Sequence, residues 1–194
     1  KNEIIRNFGI ESDKINVMYL GVEDKFRKVP EEKSVVWKEK KGLSGKKIIG
    51  YLGSIFNRRN IPVLVESVEL VRDEFPEAVL YIIGEDRTHP SQNIACMLNR
   101  DWIRWEKNIA ERELPLFYSS VDVFAFLSEY EGFGLPPLEA MACGTPVVAS
   151  NVTSVPEVIG DSGFLVDPTN EVEMSSAISD LLEKPEKRDF YSGF

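Results

Sequence analysis

Two glutamates with seven residues between them, Glu131 and Glu139, enclose glycines and prolines in the stretch EGFGLPPLEAMACGTPVVAS, residues 131–150. Gly132, Phe133 and Gly134 read as a turn. Leu135 follows, and Pro136 and Pro137 open a helix, where proline is tolerated because the first helical N–H groups lack intrahelical partners. Glycines ahead of a helix N-terminus let free backbone N–H groups face an anion, and the helix dipole adds to the attraction. Glu139, expected in the first turn, is placed to accept two hydrogen bonds from a sugar diol, in the charged form that a helix N-terminus favours. Together these residues suggest a seat for a phosphate flanked by sugars. An ordinary helix with one solvated and one capping glutamate does not explain the glycines and prolines between them.

A second group is GSIFNRRN, residues 53–60, between a strand and a helix. Gly53 allows close backbone approach and Ser54 offers a hydroxyl. Arg58 and Arg59 bring charge in a planar fork that suits a diphosphate. Other candidates read as structure. His89 is the only histidine and precedes Pro90 in a polar loop, where a solvated side chain is expected. Cys96 and Cys143 lack metal-ligand spacing, and Cys143, among small residues, reads as buried packing. Trp37, Trp102 and Trp105 read as packing residues too.

These loops need a frame, and the chain supplies an alternation of strands and helices. Strands are expected at 47–53, 78–84, 102–105, 121–126, 146–149 and 163–166. Helices are expected at 1–8, 61–75, 111–119, 136–143 and 171–182, the second from apolar residues at 61, 64, 65, 68, 71 and 75. Residues 13–23 read as a strand running into a turn at Gly21, and 29–47 as a solvated loop. Strands that are apolar throughout and alternate with helices predict a mainly parallel sheet covered on both faces. The expected fold class is α/β, a Rossmann-like three-layer domain, whose ligands sit at the carboxyl ends of the strands.

At 194 residues the chain suits one domain. Twenty-three basic residues against thirty-two acidic give a net charge of −9, which argues against a nucleic-acid surface. No apolar run reaches the ~18 residues of a membrane span. The start, KNEIIRN, has neither a methionine nor a signal-peptide core, so the chain reads as a piece of something longer. Two lone cysteines suit a reducing cytoplasm.

The motif from Glu131 to Ser150 resembles the signature of retaining glycosyltransferases of family 4, in the C-terminal, nucleotide-sugar-binding half of their GT-B fold. The resemblance runs from about residue 13 to 183. It implies a donor-binding domain over 1–194, with 1–28 a crossover from a preceding acceptor-binding domain, 29–183 the core, and 184–194 the start of a return segment. It gives Glu139 the ribose hydroxyls and Glu131 the transferred sugar and the charge developing at its anomeric carbon. The N–H groups of Phe133, Gly134 and Leu135 would meet sugar and phosphate, and Arg59 the diphosphate. The backbone near Asn108 and Ile109 would meet the base. The family commonly has an arginine where this chain has Ser54, so whether Ser54 or Arg58 supplies the second phosphate contact stays open. In the crossover, Glu23 stands where the family has an aspartate near the donor cleft. Thr153 and Ser154 stand where many relatives have glycines, before Pro156 and Glu157, and Glu157 reads as a cap or an interdomain contact.

The implied activity is transfer of a sugar from a UDP- or GDP-linked donor to a glycan, lipid-linked or small-molecule acceptor, with no cofactor and no obligatory metal. The absence of an Asp-x-Asp triplet fits that metal independence. A location in the cytoplasm or at its membrane face is expected. Two alternatives are a GT-B-like binding or scaffold module without transfer activity and a dinucleotide-dependent oxidoreductase. The latter is disfavoured because GYLGSIFNRRN lacks a full G-x-G-x-x-G.

Overall fold

The computed structural model describes residues 1–184, so all but Lys184 of the expected return segment, 184–194, lies outside the described residues. Six strands form one sheet: β1 (Lys47–Leu52), β2 (Ala78–Ile83), β3 (Ile103–Glu106), β4 (Val123–Phe126), β5 (Val147–Ser150) and β6 (Phe164–Val166). Their order is β3-β2-β1-β4-β5-β6, and every pairing is parallel. The expected three-layer α/β class is what the chain adopts.

Eight helices are described: α1 (Asn2–Phe8), α2 (Glu31–Lys40), α3 (Ile61–Glu74), α4 (Ile94–Met97), α5 (Leu114–Ser120), α6 (Leu135–Ala142), α7 (Val155–Ile159) and α8 (Glu171–Glu183). Side chains alternate across each strand and divide the core in two. Ile49, Leu80, Ile82, Val123 and Val148 face a layer made by α3, α4 and α8. Ile48, Tyr81, Phe124, Phe126 and Val147 face the layer of α2, α5, α6 and α7. The apolar stripe of α3 behaves as its spacing predicts, burying Ile61, Leu64, Val65, Val68 and Val71.

Three expectations fail. The first is the solvated loop at 29–47, which contains α2. Charges surround this helix, which buries only Ser34 and Trp37. Trp37 anchors it by stacking on Tyr81, with ring centroids 5.9 Å apart, and by an edge contact to Phe117. A single aromatic anchor leaves no apolar periodicity for the sequence to show. The second is the strand at 13–23. After a 3₁₀ turn at Ser12–Lys14 the segment has no regular structure, and β3 and β6 close the sheet without it. Val17, Met18, Tyr19 and Leu20 face out, Met18 with 89% of its surface exposed, and Val22 packs against the core. The third is α4 and α7, four- and five-residue helices that the sequence reading did not mark.

Candidate active site

Between β1 and β4 the strand order reverses: from β1 the chain moves outward to β2 and β3, then returns to β4 on the other side. The loops that leave β1 and β4 therefore diverge and open a crevice at their carboxyl ends. Both motifs lie there.

After β1, Gly53 adopts φ +143 and its N–H donates to the carbonyl of Ile83. Gly84, ending β2, packs so closely that a Cβ would stand 2.0 Å from the Gly53 carbonyl oxygen. A bridge between Ile55 and Asp86 continues the pairing into the loops. On that base sits a 3₁₀ turn, Asn57–Arg59. Arg58 is exposed, its guanidinium 4.6 Å from the ring centre of Phe56. Arg59 turns inward, 5.0 Å from the ring of Phe126, and forms an ion pair with Glu131. The structure thus separates the two arginines that the sequence left side by side. Ser54 stays half-buried beside them, its carbonyl accepting from the Tyr51 hydroxyl at 3.4 Å.

Both side chains of the Arg59–Glu131 pair are largely buried, 13% and 14% exposed. Nε and Nη1 of Arg59 and Oε1 of Glu131 make no hydrogen bond there. Nη1 and Oε1 face each other across the ion pair, which leaves the buried Nε of Arg59 as the donor without a partner. Buried polar groups without partners are rare, and at a crevice they mark a place where something else binds.

The loop after β4 is laced to its neighbours. The N–H of Glu129 donates to the Arg58 carbonyl at 2.8 Å, and Asn60 Nδ2 donates to the Leu127 carbonyl and the Glu129 carboxylate. Ser128 Oγ donates to the Tyr130 carbonyl, and Ser150 Oγ to that of Ser128. Then comes the Gly132-Phe133-Gly134 turn, with Gly134 at φ +116. Among the described residues no acceptor takes the N–H groups of Gly132, Phe133, Gly134 or Leu135. Pro136 and Pro137 have no N–H to offer, so the free donors at this helix end belong to that short run.

Glu139 lies in the second turn of α6, not the first. Tyr118, fully buried on α5, donates its hydroxyl to Glu139 Oε2 at 2.7 Å. Burial raises the Glu139 carboxyl above the ordinary carboxylate value, opposed by the Tyr118 hydrogen bond and by Lys25. The expectation that the helix end would dominate is corrected: desolvation outweighs a dipole that fades within a turn. No local spacing points to Tyr118, which stands 21 residues from Glu139.

Asn108 and Ile109 follow β3, the first exposed and the second half-buried against the core on the α2 and α5 side of the sheet. Three strand spacings, about 14 Å, separate β3 from β4 along the sheet. The N-terminal segment also reaches the site. The Tyr19 ring lies 6.4 Å from that of Phe133, its hydroxyl bonds Glu157 Oε2 at 3.2 Å, and Lys25 bridges Glu23 and Glu111. His89 is exposed, Cys143 is buried and Trp105 donates to the Gly84 carbonyl, in line with their structural readings. Among the described residues no group of three or more His, Cys, Asp or Glu side chains is placed to hold a metal ion.

Comparison with known proteins gives this geometry a family. O-antigen chain mannosyltransferase B of Escherichia coli is 34% identical over 181 residues, covering 91% of this chain and 47% of that protein. The MMP alpha-(1->4)-mannosyltransferase of Mycolicibacterium hassiacum is 27% identical, covering 95% of this chain and 43% of that one. The chain therefore spans somewhat under half the length of these relatives. Among solved structures, the C-terminal domain of a group 1 glycosyl transferase (LpcC) from Francisella tularensis superposes with a TM-score of 0.75 at 27% identity, covering 89% of this chain and 93% of that domain. Anabaena HepE, solved in complex with UDP and glucose, superposes with a TM-score of 0.83 at 20% identity, covering 97% of this chain and 52% of its own, a likeness of fold. The sheet is that of one half of a GT-B enzyme. The model of the glycosyl transferases group 1 family matches residues 35–192, and the chain belongs to that family.

Proposed function

We propose that this chain is the donor-binding half of a retaining glycosyltransferase that takes a sugar from a nucleoside-diphosphate donor. The observation that carries the reading is the crevice between the β1 and β4 loops. There the Arg59–Glu131 pair, with Arg59 Nε buried and unpartnered, meets four N–H groups without an acceptor among the described residues, at the start of the helix that carries Glu139. The mannosyltransferases among its relatives and the UDP in HepE support it.

In this reading the base lies at Asn108 and Ile109 and the ribose diol on Glu139. The diphosphate lies between Arg59 and the turn at Gly132–Leu135, beside Gly53 and Ser54. Arg58, exposed, is a poorer second phosphate contact than Ser54. When the bond from sugar to phosphate breaks, negative charge gathers on the departing diphosphate. Preorganised donors at that position stabilise the charge as it forms, usually the largest catalytic contribution. Arg59 and the N–H groups do so without a required metal ion. Glu131, freed from Arg59 as phosphate takes its place, faces the positive charge on the anomeric carbon. The acceptor, a glycan or a lipid-linked molecule, comes from a further domain, so this chain alone binds nucleotide and does not transfer sugar.

The test is calorimetry with UDP, GDP and ADP. One of the three binds to the chain, and Glu139→Ala weakens that binding at least tenfold. Equal affinity in the variant, or transfer of sugar by the chain alone, contradicts the proposal.

A further inference from the structure

Ser154 stands at the residue before α7, where serine ordinarily turns its hydroxyl back to cap the first helical N–H groups. Here it makes no cap bond. Its Oγ instead lies 3.0 Å from the Glu131 carbonyl and 3.0 Å from that of Phe133, one hydroxyl hydrogen shared between two acceptors. The neighbouring Thr153 sits in the left-handed region at φ +57, costly for a β-branched residue, and its Oγ1 accepts the N–H of Glu131 at 3.3 Å. Two consecutive hydroxyls of the β5–α7 loop thus grip three backbone groups of the Gly-Phe-Gly turn.

Peptide geometry turns this grip into a statement about donors. In a trans peptide the carbonyl of one residue and the N–H of the next point in opposite directions. Drawing the carbonyls of Glu131 and Phe133 to Ser154 therefore turns the N–H groups of Gly132 and Gly134 away from that loop. Both are without an acceptor among the described residues. Glycine at these two positions has little rotational preference of its own, so an outside restraint is needed to hold the orientation.

We propose that Ser154 is a positioning residue for the anion seat: its hydroxyl fixes the two carbonyls and so presents the N–H groups of Gly132 and Gly134 to a nucleoside diphosphate. The inference rests on the donor-site reading above and adds to it a residue from a third loop, one whose side chain never touches the ligand. It also accounts for the lack of glycine at 153 and 154, since here the two side chains do the holding.

The test compares the nucleoside diphosphate that binds best in calorimetry with its parent nucleoside, the weaker ligand followed by ligand-detected NMR. Ser154→Ala weakens diphosphate binding about tenfold, the value of one well-placed hydrogen bond, and leaves nucleoside binding within twofold of the parent chain. Ser154→Thr, which keeps the hydroxyl, stays within threefold for both ligands. Equal diphosphate binding in Ser154→Ala overturns the inference, and so does a parallel loss of both ligands, which marks a merely structural role. If the unsubstituted chain binds none of UDP, GDP and ADP, the donor-site reading fails and the inference falls with it. If the chain binds and only Ser154→Ala behaves like the parent, the inference alone fails.

Discussion

Arg58 and Arg59 are adjacent, identical in chemistry and opposite in consequence. The 3₁₀ turn points one into solvent and the other onto Phe126 and Glu131. Arg59→Ala leaves the Glu131 carboxylate largely buried without its partner. That should cost about 2 kcal/mol, below the range for fully buried pairs because some solvent reaches both groups. A urea melt would show it, together with loss of nucleoside-diphosphate binding. Arg58→Ala should leave stability within about 0.5 kcal/mol and binding little changed. Equal effects of the two substitutions would contradict the assignment. At this scale the sequence pointed to both glutamates, the glycines and both arginines, of which the structure turns Arg59 but not Arg58 onto Glu131. It did not show their partners. Tyr118 on Glu139 and Ser154 on the Glu131 loop are contacts between distant segments, and no local spacing encodes them. Nor did it show the balance at Glu139, where burial against α5 outweighs the helix end.

The elements divide by how they bury their surface. The strands and α3 and α8 carry continuous or periodic apolar residues and were legible to within a residue or two. α2 was not legible, because it docks through one indole, and α7 because five residues hold too little pattern. The 13–23 segment misled for the opposite reason. Its apolar run from Val17 to Leu20 looks like a strand's, yet the structure leaves those four residues exposed. Where elements meet, backbone proximity sets the site. Gly84 ends β2 against the Gly53 carbonyl, and that contact registers the loop that carries Arg59. Gly84→Ala should therefore push the two loops apart, lowering stability by about 3 kcal/mol and nucleotide affinity with it. Thermal unfolding measures the first and calorimetry the second. An alanine variant as stable as the parent would mean that the loops are not in contact.

As a whole the molecule places its ligand-binding residues by topology. The order β3-β2-β1-β4-β5-β6 puts the loops after β1 and β4 on either side of one crevice, and those after β3 and β5 at its two ends. On a chain of net charge −9 an anionic ligand gains little from the overall field and depends on a few oriented donors. Among the described residues no helix is long and apolar enough to cross a membrane. The central claim is that a nucleoside diphosphate lies along the carboxyl ends of the strands. Mapping its binding by backbone amide NMR, with whichever of UDP, GDP and ADP binds, tests this most directly. The perturbed amides should gather in four stretches, 53–60, 107–110, 131–139 and 153–154, with those of Gly132 and Gly134 among the largest. Perturbations concentrated elsewhere, at the opposite strand ends around residues 42–46 or along α2, would contradict it.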